Sequence, residues 1–131
     1  MKTTKHLLGL SKKSSWIPVF WTVLIIYLSF KATSSTPKID FLFADKLVHF
    51  CFYFGFVFLW CRYLFFGNKA TIRNKIILVF TAIVMGILIE LGQGFFTIDR
   101  QADVFDAAAN AIGGISGIGI ANIFFKKSDT E

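Results

Sequence analysis

Four apolar runs divide the chain, separated by polar or basic stretches. The first covers residues 16–30 and opens with Pro18, which the first turn of a helix tolerates. The others cover 47–66, 76–96 and 103–125. A membrane helix takes roughly 20 mainly apolar residues. The pattern therefore predicts helices over 16–32, 46–66, 76–96 and 103–125, the first borrowing flanking residues to reach length. One stretch imitates a strand, because Phe50, Phe52, Phe54, Phe56 and Phe58 alternate at period two. The intervening Cys51, Tyr53, Gly55 and Val57 supply no polar face, so a barrel strand is rejected in favour of a helix.

Composition strengthens this reading. Of 131 residues, 55% are hydrophobic and 18% aromatic, and the mean hydropathy is +0.63. A soluble domain this apolar would expose large greasy patches, whereas a lipid-facing surface removes that difficulty. The fold class expected is all-α: a polytopic membrane protein, a four-helix transmembrane bundle forming one domain over residues 1–131. The net charge of +6 does not point to nucleic acid, because the aromatic residues lie inside the apolar runs rather than among the lysines.

Charge instead sets the topology. Lys2, Lys5, Lys12 and Lys13 precede the first run, Arg62, Lys69, Arg73 and Lys75 accompany the second loop, and Lys126 and Lys127 close the fourth. The opposite side holds only Lys31, Lys38, Lys46 and Arg100. The positive-inside rule then places both termini in the cytoplasm of a multi-pass protein of the inner (cytoplasmic) membrane. The first run also has the outline of a signal peptide, ending in Ala32, Thr33 and Ser34. Lys31 crowds that cleavage stretch, and the run is read as a retained anchor. Cys51 and Cys61 stand about 15 Å apart along a helix, beyond disulfide reach, and are read as buried packing residues.

The informative residues are those a membrane segment should avoid. Asp45, Lys46 and His49 enter the second helix, while Glu90 and Gln93 leave the third. Arg100, Asp103, Asp106 and Asn110 occupy the last linker and the start of the fourth. A charge at mid-bilayer costs roughly 2.5–3.5 kcal/mol on insertion scales, so such groups face a protein interior or a wet cavity. Connectivity alone puts all three helix ends on one side of the bilayer. At about 1.5 Å per residue, His49 lies roughly 6 Å past Asp45, Glu90 roughly 9 Å short of Phe96, and Asn110 roughly 10 Å past Asp103. Spacings of three, four and seven residues keep each set on one helical face. A polar pocket between helices two, three and four, open to the extracytoplasmic surface, is the expected arrangement.

Simpler roles compete for several of these residues. Asp45 and Asp103 are candidate N-caps, Lys46 can reach the headgroups, and His49 alone is an ordinary interior histidine. Glu90 lies too deep for a short side chain to reach water, and its candidate partners are Arg100, Lys46 and His49. A purely structural ion-pair network is the alternative to a functional site. Gly113 and Gly117 form a small-xxx-small pair on helix four, suited to packing within the monomer or to a homo-oligomer.

Asp45-Lys46-x-x-His49-Phe50-x-x-Tyr53-Phe54 resembles the first motif of the VanZ-like family of bacterial membrane proteins. Glu90-x-x-Gln93-x-x-Phe96, Arg100, Asp103-x-x-Asp106-x-x-x-Asn110-x-x-Gly113-x-x-x-Gly117 resembles the second. One departure is Thr97-Ile98-Asp99, where the family often has a Pro-Gly turn; Asp99 can adopt the turn or cap helix four. The resemblance implies an integral membrane protein linked in some members to teicoplanin resistance, and it brings no settled biochemical activity.

Two functions follow. In the first, the pocket binds a membrane lipid, a lipid-linked envelope precursor or a glycopeptide without catalysis, through Asp45, Lys46, His49, Glu90, Gln93, Arg100, Asp103, Asp106 and Asn110. In the second, a membrane-embedded enzyme uses Glu90 or Asp106 as general base and His49 as acid–base partner, with Arg100 and Lys46 clamping a phosphate or carboxylate. His49, Glu90 and Asp106 form no recognised local metal motif, and neither metal nor cofactor is expected. Transport is disfavoured, because no inverted repeat is visible.

Overall fold

A computed structural model describes residues 14–31, 43–98 and 102–127. Four helices follow in chain order: α1 (Trp16–Phe30), α2 (Ala44–Phe66), α3 (Ile72–Phe96) and α4 (Val104–Phe124). No strand occurs among the described residues, and α2, α3 and α4 are each long and apolar enough to cross a membrane. The protein is an all-α membrane bundle. Asp99, Arg100 and the stretch from Ala32 to Ser34 lie outside the described residues.

Helix ends differ from the sequence expectation where capping, rather than hydropathy, sets them. The third helix starts at Ile72, a full turn before residue 76, because Thr71 caps it and its Oγ1 accepts the Asn74 amide at 3.2 Å. Arg73 and Lys75 thus belong to the helix, not to the loop. At the other end of that loop, Asn68 sits at φ 56°. The Lys69 amide bonds the Leu64 carbonyl at 2.7 Å and the Asn68 amide bonds that of Phe65 at 3.1 Å. This is a Schellman stop, built on a residue type that tolerates the left-handed region.

The tightest seam in the bundle joins α2 to α4. A Cβ at Gly113 would collide with the Phe50 carbonyl oxygen, and one at Gly117 would come within 2.8 Å of the Phe54 carbonyl oxygen. Both glycines are buried against α2 within the monomer. On the flank of α2, Phe50, Phe54 and Phe58 stack one turn apart, at 6.0 Å between successive centroids. Their alternation in sequence reports helical stacking, not a strand.

Although short, α1 is tied into the bundle. The Trp21 indole donates to the Phe52 carbonyl at 2.9 Å, and the Trp60 indole donates to Thr22 at 3.2 Å. Gly55 of α2 leaves room for the Trp21 ring. Between α1 and α3 runs an apolar groove of about 500 Å³, lined by residues such as Ile26, Phe30, Val84 and Leu88. None of the polar constellation lines it. Cys61 is buried, but Cys51 is exposed on the outer face of α2, which corrects the reading of both cysteines as buried.

Candidate functional site

The first turn of α2 carries Asp45 and Lys46, and His49 follows one turn deeper. Phe43 holds the N-cap position without a side-chain bond, so Asp45 is not a cap. It lies inside the first turn, where an acid complements the helix dipole. The Lys46 ammonium does not reach outward to headgroups. Its Nζ lies 3.1 Å from Asp106 Oδ1, 3.2 Å from Asp103 Oδ2 and 3.4 Å from Asp45 Oδ2. One cation is thereby shared by three carboxylates from two helices.

Asp103 is the N-cap of α4, its Oδ1 accepting the Phe105 amide at 2.8 Å. That bond first, and Lys46 beside it, hold the Asp103 carboxyl below its ordinary range. In a capping box the residue three positions on would turn back to the cap's own amide. Here Asp106 occupies that position, yet the Asp103 amide donates instead to Glu90 Oε2 on α3, at 3.2 Å. Asp106 is left free to accept from Lys46 through Oδ1 and to face His49 through Oδ2.

The floor of the site is buried. His49 is 6% exposed, Glu90 4% and Asn110 2%. His49 Nδ1 lies 3.0 Å from Asn110 Oδ1 and 3.6 Å from Glu90 Oε1, and Nε2 lies 3.6 Å from Asp106 Oδ2. An amide oxygen only accepts, so the bond to Asn110 assigns the proton to Nδ1 and turns Nε2 toward Asp106. Gly86 makes room for Asn110, whose amide atoms stand 3.1–3.5 Å from where a Cβ would be. Glu90 Oε1, Asn110 Nδ2 and the Tyr53 hydroxyl are buried without a hydrogen-bond partner among the described residues.

Asp45, Lys46, His49, Glu90, Asp103, Asp106 and Asn110 are thus brought together, grading from an exposed rim at Asp45 to a buried floor. Gln93 is not part of it. Although three residues from Glu90, it turns to α1, where Nε2 donates to the Ser29 carbonyl at 2.7 Å. That carbonyl belongs to the last turn of α1 and has no intrahelical donor, which makes a partner obligatory at membrane depth. The sequence placed Gln93 in the site because spacing alone could not say which neighbour it faces. Tyr53 was quoted only within a motif; its place one turn below His49 on the same face is the signal that could have added it.

Neither the curated proteins nor the solved structures contain a match to this chain. A family model described as VanZ/LLP1 does match, over residues 2–125. That stretch includes α1 and the whole polar cluster, so the chain belongs to the VanZ/LLP1 family.

Proposed function

We propose that this protein is a multi-pass protein of the cytoplasmic membrane, with both termini in the cytoplasm, that binds an envelope ligand at its extracytoplasmic end without catalysis. Ligands of the right character are a membrane lipid headgroup, a lipid-linked envelope precursor or a glycopeptide, and altered teicoplanin susceptibility is the cellular consequence. The observation that carries this reading is the graded cluster, acidic at its rim and sealed at its floor by α2, α3 and α4. Among the described residues, Lys46 is shared by three carboxylates, which leaves that part of the rim net acidic and suited to a group rich in ammonium or amide donors. The same pairing speaks against Lys46 as a substrate clamp, which the enzymatic reading required.

That second reading keeps one supporting observation, the approach of His49 Nε2 to Asp106 Oδ2 within the buried floor. Cells carrying Glu90→Gln or Asp106→Asn separate the readings when phenotype and membrane abundance are measured together. Under the binding role, the teicoplanin response weakens in step with measured ligand affinity. Under the enzymatic role, it vanishes at undiminished abundance and affinity. Deletion of the gene with no change in teicoplanin susceptibility would dismiss the envelope role for this chain.

A further inference from the structure

The floor of the cluster holds chemistry that recognition at the rim does not use. His49, Glu90 and Asp106 come from three different helices, and one ligating atom of each lies within 4.8 Å of the other two. Glu90 points to a ligand on separate grounds. Its Oε1 is buried without a hydrogen-bond partner among the described residues, and it lies 3.6 Å from the His49 ring. A buried acceptor left unpaired is costly, and a buried carboxylate more so. Among the described residues, the Lys46 ammonium at the rim is already placed on Asp45, Asp103 and Asp106.

From this geometry we infer that His49, Glu90 and Asp106 form a binding site for one divalent first-row cation, with Zn²⁺ the best match to the donor set. Zn²⁺ accepts imidazole nitrogen and carboxylate oxygen at about 2.0–2.2 Å, which puts neighbouring ligand atoms of a tetrahedral site roughly 3.3 Å apart. His49 Nε2 lies 3.6 Å from Asp106 Oδ2, whereas Glu90 Oε1 lies 3.6 Å from the other ring nitrogen, Nδ1. Closing the site on Nε2 therefore takes a movement of the Glu90 carboxylate toward Nε2, within a cluster whose ligating atoms lie within 4.8 Å of one another. The ring is also held as a metal ligand is held. A ligating histidine gives its other N–H to an oxygen acceptor, and Asn110 Oδ1 receives Nδ1–H, leaving the Nε2 lone pair on the side of Asp106. Asp106 divides its oxygens, Oδ1 to Lys46 and Oδ2 toward His49. Two carboxylates and a neutral imidazole bring a dication to zero net charge, the state a buried site tolerates best. Three protein ligands leave a fourth position for water or a polar group of a ligand. This site is independent of the envelope role and stands whether or not the rim binds anything. It also changes the expectation drawn from sequence, where residues 49, 90 and 106 share no local motif.

The test uses the full chain, purified in detergent through a tag without histidines, stripped with chelator and titrated with Zn²⁺ or Mg²⁺. Bound metal is read by equilibrium dialysis and elemental analysis. One Zn²⁺ per chain is expected, with Mg²⁺ failing to displace it. Affinity should drop tenfold or more in Glu90→Gln and in Asp106→Asn, and stay unchanged in Asn122→Ala at the far end of the bundle. Co²⁺ offers a readout on the unmutated protein: intense visible bands of a four-coordinate ion support the site. Weak octahedral bands, absence of stoichiometric Zn²⁺, displacement by Mg²⁺, or unchanged affinity in both carboxylate variants would overturn it. Teicoplanin susceptibility is scored separately, so failure of the metal site and failure of the envelope role are distinguishable.

Discussion

Glu90 caps a helix to which it does not belong: its Oε2 accepts the Asp103 amide at 3.2 Å, thirteen residues along the chain. The bond fastens the end of α3 to the start of α4 and satisfies an amide that the helix itself leaves unpaired. The same carboxylate meets His49 of α2 through its other oxygen, so one side chain links three helices.

Glu90→Ala should therefore lower the stability of the solubilised protein by about 1–3 kcal/mol, since it strands the Asp103 amide and leaves a gap beside His49. Glu90→Gln keeps an acceptor oxygen and should cost much less. Thermal unfolding of the two variants in one detergent gives the comparison. Equal losses would show that the cross-helix cap contributes nothing.

The glycines of α4 differ in what surrounds them, and alanine should report it. Gly113→Ala forces a methyl into the Phe50 carbonyl and should destabilise by about 1–3 kcal/mol through overpacking. Gly119, with nothing within 4 Å, should accept alanine neutrally or gain up to about 1 kcal/mol from helix propensity. Membrane abundance and melting temperature of both variants check the contrast.

Lys46 and Asp106 should show compensation. Lys46→Met leaves three acidic groups facing one another, and Asp106→Asn removes one of them. The double variant is expected to melt above Lys46→Met alone, because the repulsion that follows loss of the lysine is then relieved. Strict additivity would mean that the two groups do not interact.

Gln93→Leu tests the separation of α1's anchor from the cluster. The Ser29 carbonyl loses its donor, and a loss of about 1–3 kcal/mol is expected on unfolding. Zn²⁺ affinity should persist, since Gln93 faces away from His49, Glu90 and Asp106. Joint loss of both properties would place Gln93 back among the cluster residues.

Orientation is open to a direct check. Fluorescent-protein fusion at residue 131 should fluoresce, and an alkaline phosphatase fusion there should be inactive, if both termini face the cytoplasm. The reverse pattern would place the cluster on the cytoplasmic side.

Much of the fold was legible in the chain because its causes are local. A run of apolar residues long enough to span a bilayer declares a helix, and connectivity then brings the starts of α2 and α4 to the end of α3. Spacings such as Asp45 to His49, or Asp103 to Asp106 and Asn110, declare one face of one helix. Hydropathy was silent about caps, so Ile72 was missed as a helix start until the Thr71 bond was seen.

What no single helix encodes is its rotation about its own axis relative to its neighbours. That is decided where Gly113 and Gly117 let α4 approach the backbone of α2. With that approach Lys46 of α2 falls among carboxylates of α4, while the separate packing of α3 against α1 and α4 turns Gln93 to Ser29 and brings Glu90 to the Asp103 amide. Periodicity specifies which residues share a side, and close packing specifies what that side meets.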